Sequence, residues 1–209
     1  MRFDIVTIFP KVIEAYCEES IIKRAQKKDR IKIYIHDLRK FSQDKHRKVD
    51  DRPYGGGAGM VLMADPILRA IRSIKKKKRT KIIITSARGK GFTQAMARQF
   101  ASRWDQIILI CGHYEGIDER VKTVLKAEEI SIGPYILTGG ELPAMTILDA
   151  VVRHVPGVLG KWESREEIKG SYPVYTRPET IKNKGKKYTV PPVLLAGNHQ
   201  AIEVWRKNR

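Results

Sequence analysis

The sequence predicts an α/β domain whose sheet is mainly parallel and carries helices on both faces. Apolar runs of strand length alternate with helical patterns along the chain, which is typical of βαβ units. Two of these runs, KIIIT at 81–85 and QIILIC at 106–111, have almost no polar interruption. Such runs are typical of strands that helices cover on both faces. A helical pattern at 93–103 lies between them and predicts the crossover helix.

The other predicted elements of this domain are strands at 3–9 and 31–36 and helices at 11–27, 65–74 and 141–154. Pro10 ends the first strand. Asp65 is the predicted N-cap of a helix whose first turn contains Pro66. Pro156 and Gly157 mark the end of the last helix.

The chain is predicted to divide at residues 161–172, KWESREEIKGSY, which are highly charged and lack apolar periodicity. We interpret this segment as a linker between a domain at 1–160 and a short basic module at 173–209. The module is predicted to be mainly helical. It contains a lysine-rich loop, and Asn198 is the predicted N-cap of its last helix.

Composition excludes several classes of protein. No run approaches the roughly 18 to 20 apolar residues that span a bilayer. The first ten residues contain Asp4 and no small-residue cleavage site, so they do not predict a signal peptide. Cys17 and Cys111 lack the spacing of metal ligands and are interpreted as buried, reduced thiols. We therefore expect a cytoplasmic protein that does not associate with membranes.

The charge balance favours a polyanionic partner. Lys and Arg number 41 against 23 Asp and Glu, a net charge of +18, and such a surplus favours nucleic acid through counterion release. Compositional bias is the alternative explanation. Residues 171–209 argue against it, because their lysines are interleaved with Tyr175 and Tyr188, which offer stacking surfaces for bases. The run Lys75–Arg79 is interpreted as a solvated turn.

Glycine-bearing loops are the main sign of a ligand site. The loop at 50–60, DDRPYGGGAGM, lacks the lysine of a Walker motif, and a flexible hairpin is its alternative interpretation. The loop at 85–95 contains Gly89 and Gly91, but Gln94 replaces the third glycine of a dinucleotide fingerprint. Two further loops, at 111–121 and 131–145, follow strands. Because the carboxyl ends of parallel strands share one edge, the last three loops predict a single ligand crevice there.

A metal centre is not predicted in these loops. Cys111, His113 and Glu115 are two residues apart, and strand alternation alone does not assemble a tetrahedral site from such a pattern. The Pro-Cys-x-x-Cys motif of the zinc deaminases is absent from the sequence. Contacts from the backbone and from Glu115 to a polar ligand are the favoured interpretation.

Six strings of the sequence resemble one known family in order and spacing. They are DKHRKVDDRPYGGGAGM (44–60), CGHYEGIDERV (111–121), SIGPYILTGGELPAM (131–145), VPGVLG (155–160), YTRPE (175–179) and VPPVLLAGNH (190–199). The family is the bacterial tRNA (guanine-N1)-methyltransferases of the SPOUT class. These enzymes modify the guanosine 3′-adjacent to the anticodon, at position 37. The resemblance covers nearly the whole chain.

The resemblance implies a deep trefoil knot in the carboxyl half of the domain and S-adenosylmethionine as methyl donor. The donor would be bound by three loops, through Ser86, Ala87, Gly89, Gly112, Tyr114, Glu115, Gly116, Ser131, Ile132, Gly133, Tyr135, Leu137, Gly139, Gly140 and Pro143. The family also implies a homodimer in which the linker and basic module of one subunit cover the donor site of the other. The implied nucleic acid is tRNA and not DNA. Magnesium is a candidate cofactor through the family, although no carboxylate cluster here demands it.

Methylation of guanine N1 requires removal of its proton and stabilisation of charge on O6. Arg153 matches the family arginine assigned to O6, and a helix-end role is its alternative. The family's general base is a linker aspartate, but Ile168 occupies that place here. We expect Glu167 to be the base and Glu166 to be the next choice, unless both only solvate the linker. His46, Arg47, Asp50, Arg52 and Tyr54 match a family loop near the substrate or the dimer surface, and substrate roles are assigned to them on that basis.

Two departures from the family pattern lie near the donor loops. His113 stands where relatives commonly have arginine, and Pro134 where they commonly have aspartate. A second functional hypothesis follows from the altered linker: a catalytically impaired RNA-binding or regulatory homologue that retains the donor pocket. The intact donor loops and Arg153 argue against it.

Overall fold

The computed structural model describes residues 1–160 and 170–208, which form two compact units, Met1–Leu159 and Gly160–Arg209. The first unit contains a five-stranded sheet in the order β2-β1-β6-β5-β7, and every pairing in it is parallel. Its strands are β1 (Arg2–Thr7), β2 (Lys32–Asp37), β5 (Thr80–Gly91), β6 (Gln106–Cys111) and β7 (Glu128–Ser131). Two short strands, β3 (Asp50–Asp51) and β4 (Val61–Leu62), form a separate antiparallel pair. In the sequence they fall between β2 and β5.

Helices cover both faces of the sheet, as the unbroken apolar strands predict. Their bounds are α1 (Pro10–Cys17), α2 (Ser20–Lys27), α3 (Ala64–Ser73), α4 (Gln94–Arg103), α5 (Glu119–Leu125) and α6 (Glu141–Val152). Residues of α1, α2, α4 and α6 pack into one buried cluster with Phe3, Ile5 and Leu109. Residues of α3 and α5, with a short 3-10 helix at Leu38–Phe41, pack into a second cluster. The α/β fold with a parallel sheet is therefore confirmed.

Several boundaries differ from the predictions. The helix expected at 11–27 is two helices, because the backbone leaves the helical conformation at Glu19 and Ser20, whose φ is +46°. Asp65 is not the N-cap of α3. That place belongs to Met63, and Asp65 in the first turn accepts a 2.8 Å bond from Arg69 instead. The helix α5 was not predicted at all, although Asp118 caps it by accepting a bond from the backbone of Arg120.

The strand β5 is longer than the predicted 81–85, because it continues past the expected turn to Gly91. A bulge interrupts its pairing with β7: Thr85 and Lys90 both pair with Ile130, so the intervening residues are left unpaired. Such an extra loop in a strand re-aims the backbone locally. Here it carries residues 86–89 out of the ladder at the carboxyl edge of the sheet.

In the described part of the second unit, irregular chain at 170–179 is followed by a hairpin and two helices. The stretch predicted as a lysine-rich loop is an antiparallel hairpin of β8 (Thr180–Asn183) and β9 (Lys186–Thr189), closed by a turn with Lys184 and Gly185 at positive φ. The helices are α7 (Pro192–Leu195) and α8 (His199–Lys207). Asn198 is the N-cap of α8, as predicted, and accepts a 3.1 Å bond from Ala201. None of the helices in the described part of the chain is long and apolar enough to cross a membrane.

Candidate functional site

A crevice of about 550 Å³ lies at the carboxyl edge of the sheet. Three segments form its walls: residues 84–88 at the end of β5, residues 112–119 after β6, and residues 129–140 from β7 onward. The strands β6, β5 and β7 are direct neighbours, so the loops that follow them emerge side by side. Val61, Lys122 and Pro143 complete the lining. The single crevice predicted from the spacing of the glycine-bearing loops is present.

Glycines let the backbones of these loops approach each other closely. A methyl group at Gly140 would lie 2.1 Å from the hydroxyl of Thr85 and 2.6 Å from the amide nitrogen of Gly112. The amide of Gly140 donates a 2.7 Å bond to the carbonyl of Gly112. The loops after β6 and β7 are thus joined at a point where no side chain fits. Backbone groups, rather than long side chains, form this part of the wall.

Tyr114 and Gly116 shape the loop after β6. Tyr114 has a φ of +56° and Gly116 a φ of +132°, so this loop turns through conformations that few residues adopt. The loop is fixed from the far side, because the amide of Glu115 donates a 3.0 Å bond to the carbonyl of Met60. Gly59 contacts the side chain of Glu115 so closely that a methyl group there would lie 2.3 Å from its carboxylate. The glycine-rich loop at 50–60 therefore supports the wall of the crevice.

An aromatic and acidic cluster lies beneath the loops after β6 and β7. The ring of His113 contacts those of Phe9 and Tyr114 edge-on, at centroid distances of 5.0 and 4.8 Å. Glu141 is buried at the first position of α6 and accepts a 2.7 Å bond from the hydroxyl of Thr7. Burial and the nearby Glu141 charge raise the pKa of the Cys111 thiol well above its ordinary value. This cysteine is a neutral, buried thiol at the pH of a cell.

Four charged residues form a network on the rim. Arg88, on the β5 bulge, contacts Glu119 and lies 3.0 Å from Glu129, and Lys122 lies 2.6 Å from Glu129. Burial acts to raise the pKa of Glu129, but hydrogen bonds from Lys122 and Arg88 outweigh it. The net effect lowers the pKa of Glu129, so this carboxylate stays ionised. The network ties β5, α5 and β7 together around the opening.

The structure brings the residues predicted to bind the donor to this crevice, with one exception. Lining the crevice are Ser86, Ala87, Gly112, Tyr114, Glu115, Gly116, Ser131, Ile132, Gly133, Tyr135, Leu137, Gly139, Gly140 and Pro143. Gly89 does not line it. A methyl group at Gly89 would lie 2.5 Å from the backbone of Glu129 and of Ile130, so this glycine allows β5 and β7 to pack.

Sequence reasoning missed part of the lining. Thr85, Arg88, His113, Glu119, Lys122 and Glu129 line the crevice and were not assigned to a ligand. Glu119 and Lys122 belong to α5, whose N-cap at Asp118 was the available signal. Arg88 was missed because the bulge in β5 leaves no trace in the hydrophobic pattern.

The residues predicted to bind the substrate lie on both sides of β3 and within it: His46 and Arg47 precede the strand, Asp50 belongs to it, and Arg52 and Tyr54 follow it. His46, Arg52 and Tyr54 are exposed, and Tyr54 is fully so. Arg47 has a positive φ of 57°, and Asp44 holds the turn by accepting bonds from the amides of His46 and Lys48. None of these side chains lines the crevice described above. Their substrate roles stay predictions.

Arg153 is the one predicted catalytic residue within the described chain, and it does not line the crevice. Arg153 follows the C-terminal end of α6, whereas Gly140 at the other end lines the crevice. A helix of 12 residues is about 18 Å long, so Arg153 lies a helix length away. Glu166 and Glu167 lie outside the described residues. Across 1–160 and 170–208, no group of three or more His, Cys, Asp or Glu side chains is placed to hold a metal ion.

The lining combines backbone hydrogen-bonding groups, an apolar side formed by Ile132, Ile136 and Leu137, and a charged rim. Pockets for small ligands and cofactors are typically about 300–1,000 Å³ and are mostly apolar, with a few placed polar groups. The crevice is therefore suited to a folded, nucleoside-sized ligand. The thiol of Cys111, directly before the lining residue Gly112, is buried with a raised pKa and is therefore not an activated nucleophile.

Comparison with known proteins gives one result over the whole chain. Residues 1–209 match the sequence model of a family described as tRNA (Guanine-1)-methyltransferase TrmD. A tRNA (guanine-N(1)-)-methyltransferase of Thermomicrobium roseum is 50% identical to the chain, over 99% of the chain and 78% of the relative. Proteins of the same name from Dictyoglomus turgidum and Moorella thermoacetica are 49% and 46% identical, and the chain covers 84% and 85% of them.

Proposed function

Because the chain belongs to the tRNA (guanine-1)-methyltransferase family, we propose that it methylates N1 of the guanosine at position 37, 3′-adjacent to the anticodon. Membership makes the protein a tRNA-modifying transferase that uses S-adenosylmethionine. The observation that carries the finer proposal is the crevice, whose walls are the three loops that the resemblance assigns to the donor. With both cysteines free and buried, the cytoplasm is its proposed location.

The crevice fits the donor in volume and in chemistry. S-adenosylmethionine supplies a methyl group on a sulfonium sulfur. The close approach of Gly112 and Gly140 presents backbone groups to its polar atoms, and Ile132 and Leu137 supply an apolar wall for a purine ring. On the rim, the carboxylates of Glu119 and Glu129 are paired with Arg88 and Lys122, so groups of both signs stand at the opening, which suits a donor that itself carries charges of both signs.

Guanine recognition requires groups beyond the crevice. N1 lies on the Watson–Crick edge, so the base must be unpaired or turned out of its stack. We assign Arg153 to O6, where negative charge develops as the N1 proton leaves. Glu167, with Glu166 as the next choice, is the proposed base that accepts this proton. Both glutamates lie outside the described residues, so their assignment rests on sequence position alone.

A second copy of the chain is the proposed source of Arg153 for each crevice. The length of α6 separates Arg153 from the donor loops of its own chain, so one chain alone does not join the two functions. Adjacent helices also expose apolar side chains: Phe9, Val12 and Tyr16 lie on one face of α1 and Leu142 on α6, each at least 40% exposed. Tyr16 donates a hydrogen bond to Asp149, which holds α1 against α6. A homodimer would cover this face.

Dimerisation is tested by Val12→Glu, which places a charge on the exposed apolar face. We expect this variant to sediment as a monomer and to lose methyl transfer, because Arg153 no longer meets a donor site. Lys11→Glu, on the polar side of the same helix, is the matched control. A wild-type protein that sediments as a fully active monomer would contradict the proposal.

The tRNA is proposed to contact the exposed hairpin of the second unit. Lys182, Lys184, Lys186 and Lys187 are all exposed on β8, β9 and their turn. Trp205 lies 6.3 Å from the ring of Tyr175, and Arg206 stacks 4.7 Å over the ring of Tyr172. Cations next to aromatic rings suit an anionic backbone with accessible bases. We propose RNA and not DNA as the partner because the family acts on tRNA.

Magnesium has no group of ligands in the described residues, so no step is assigned to it. Magnesium could still assist the reaction through tRNA folding or through carboxylates outside 1–160 and 170–208. Removing it with EDTA during turnover and then restoring it tests this hypothesis. Full activity in EDTA with a pre-folded transcript would remove magnesium from the proposal.

The central experiment measures transfer of labelled methyl from S-adenosylmethionine to tRNA transcripts that differ only at position 37. We expect methylation of the G37 transcript, none of the A37 transcript, and a loss of at least about 100-fold in kcat for Arg153→Ala, since one donor to a developing oxyanion contributes about 10²–10³. Donor binding without transfer to any tRNA would favour the impaired homologue. Transfer to A37 and G37 alike would overturn the assigned position.

A further inference from the structure

One polar atom of the crevice has no partner. Nδ1 of His113 is buried and makes no hydrogen bond within residues 1–160 and 170–208. A buried polar atom left unbonded costs about 1–3 kcal/mol. The imidazole contacts the rings of Phe9 and Tyr114 edge-on. Its position therefore calls for an explanation.

The carboxylate of Glu141 approaches the same point from the other side. A methyl group at Gly139 would lie 2.7 Å from Nδ1 of His113 and 2.5 Å from Oε2 of Glu141. The other oxygen of Glu141 is engaged, because Oε1 accepts a 2.7 Å bond from Thr7. Oε2 and Nδ1 thus converge over a glycine whose missing side chain leaves both atoms room to approach.

The two residues belong to the two loops that close the crevice. His113 pairs with Gly139 in an isolated antiparallel bridge, and Gly140 donates to the carbonyl of Gly112 at 2.7 Å. A bond between Nδ1 of His113 and Oε2 of Glu141 would add a side-chain link to this backbone link. It would hold the loop after β6 against the start of α6.

We propose that His113 is a positioning residue for the methyl donor: Nδ1, which has no hydrogen-bond partner among the described residues of the free protein, donates to the adjacent Oε2 of Glu141 when the donor is bound and so clasps the two donor loops. The inference rests on the proposed donor site. The bond is strongest when the imidazole is protonated, because charge-assisted hydrogen bonds are about twice as strong as neutral ones. Donor affinity is therefore expected to be higher when the imidazole carries its proton than when it is neutral.

Other charged groups around His113 are few in the described residues. Glu141 faces it from α6, Tyr114 and Glu115 belong to its own loop, and Arg39 lies 5.7 Å from the centre of the Phe9 ring, which also contacts the imidazole. Cys111, below Gly112, stays neutral because burial raises its pKa. Imidazole is the side chain of this set that ordinarily changes charge near neutral pH.

The test is calorimetric titration with S-adenosylhomocysteine at pH 5.5, 6.5, 7.5 and 8.5. For the wild type we expect Kd to rise about fivefold across this range, as the charge-assisted bond becomes a neutral one. His113→Asn keeps an amide donor near the place of Nδ1 and should bind with a Kd that does not depend on pH. His113→Phe keeps the ring contacts but has no donor, and its Kd should be raised about tenfold at pH 5.5.

Two controls keep the result interpretable. His154→Asn changes a histidine at the far end of α6, which contacts Gln94, and should retain the wild-type pH dependence. Melting temperatures of all variants identify any that are unfolded. If the wild type and His113→Phe bind equally at every pH, the clasp is wrong and the donor site stands. If the wild type binds no S-adenosylhomocysteine at any pH, the proposed function itself fails.

Discussion

The glycines around the crevice differ in how much space surrounds them. This difference predicts how much a change to alanine lowers stability and donor affinity at each position. Gly140→Ala places a carbon 2.1 Å from the hydroxyl of Thr85 and 2.6 Å from the backbone of Gly112. The backbone contact cannot move away as a flexible side chain would. We expect a loss of about 1–3 kcal/mol in the free energy of unfolding, as for other overpacked sites, and at least a tenfold rise in the Kd for S-adenosylhomocysteine.

Gly91→Ala is the matched control for Gly140→Ala. A methyl group at Gly91 meets no atom within 4 Å, and its φ is not positive. Chemical denaturation and calorimetric titration of the two variants measure both effects. Equal behaviour of the two variants would show that the close approach of the loops is not what holds the donor.

Gly89 shows how far a residue can be assigned from its motif. The resemblance to a family placed it among the donor contacts, and the chain does put it near the crevice. In the structure it does not line the crevice, and a methyl group there would lie 2.5 Å from the backbone of Glu129 and of Ile130. A string of letters does not distinguish a glycine that meets a ligand from one that meets a neighbouring strand. The lining residues Arg88 and Lys122 were missed for a related reason. The position of Arg88 depends on the bulge in β5 and that of Lys122 on the helix α5, and the hydrophobic pattern shows neither of these features.

Among the elements, β1, β2 and β6 share a buried polar network that no motif indicated. Asp4 on β1 is fully buried and accepts bonds from Arg2 at 2.7 Å, His36 at 2.9 Å and Gln106 at 2.6 Å. Gln106 is also fully buried and receives the amide of Lys77 at 2.8 Å. The network therefore joins three strands to the loop before β5, at the edge of the sheet opposite the crevice.

The network predicts a loss of stability in acid. Burial acts to raise the pKa of Asp4, but hydrogen bonds from His36, Arg2 and Gln106 outweigh it and lower the pKa below its ordinary value of 3.8. A depressed pKa means that the stabilisation is present above pH 3.8 and is lost as the pH falls through the lowered pKa in the folded state. Asp4→Asn should cost about 2 kcal/mol at pH 7, the range of hydrogen bonds to a charged group. The difference from wild type should shrink below pH 4.

Urea unfolding of Asp4→Asn and wild type at pH 7 and at pH 3 measures this difference. Asp105→Asn removes a carboxylate whose ion pair with Arg79 lies at the surface, and it should change stability little at either pH. A constant gap between Asp4→Asn and wild type at both pH values would mean that packing, and not charge, is what the substitution removes.

The sequence predicts which helices and strands are present better than it predicts the residues at which they begin and end. The apolar runs of β5 and β6 indicate parallel strands because both faces are covered, and the structure confirms this. Periodicity did not show the break between α1 and α2, since it depends on the backbone at Glu19 and Ser20. Nor did it show the hairpin β8–β9, whose eight residues are all exposed and so carry no apolar alternation. Strands that bury nothing leave no hydrophobic signal.

For the whole molecule, the separation of Arg153 from the crevice follows already from the helix predicted at 141–154, because Arg153 and the glycines of the last donor loop lie at its opposite ends. The sequence does not show how these two ends would be brought to one site. The knot likewise stays a prediction from the resemblance, because no hydrophobic pattern encodes the threading of a loop. Local patterns predict a sheet and its helices, whereas the proposed sharing of an active site between two copies would depend on surfaces that meet only after folding.

The excess of positive charge makes a last prediction, about where that charge acts. Two groups of four lysines can be neutralised in matched variants: Lys182, Lys184, Lys186 and Lys187 in the hairpin, and Lys75, Lys76, Lys77 and Lys78 between α3 and β5. Replacing either group by serine removes four positive charges from exposed residues.

If the attraction to tRNA were non-specific, the two variants would lose tRNA affinity equally. Contacts to phosphates by the hairpin would instead lower the slope of log K against log salt by about 3, at about 0.7–0.9 per contact. We expect this for the hairpin variant and little change in tRNA affinity for the other, with KM for tRNA raised and kcat retained. Equal slopes for both variants, measured by filter binding between 50 and 200 mM salt, would assign the charge to solubility and not to recognition.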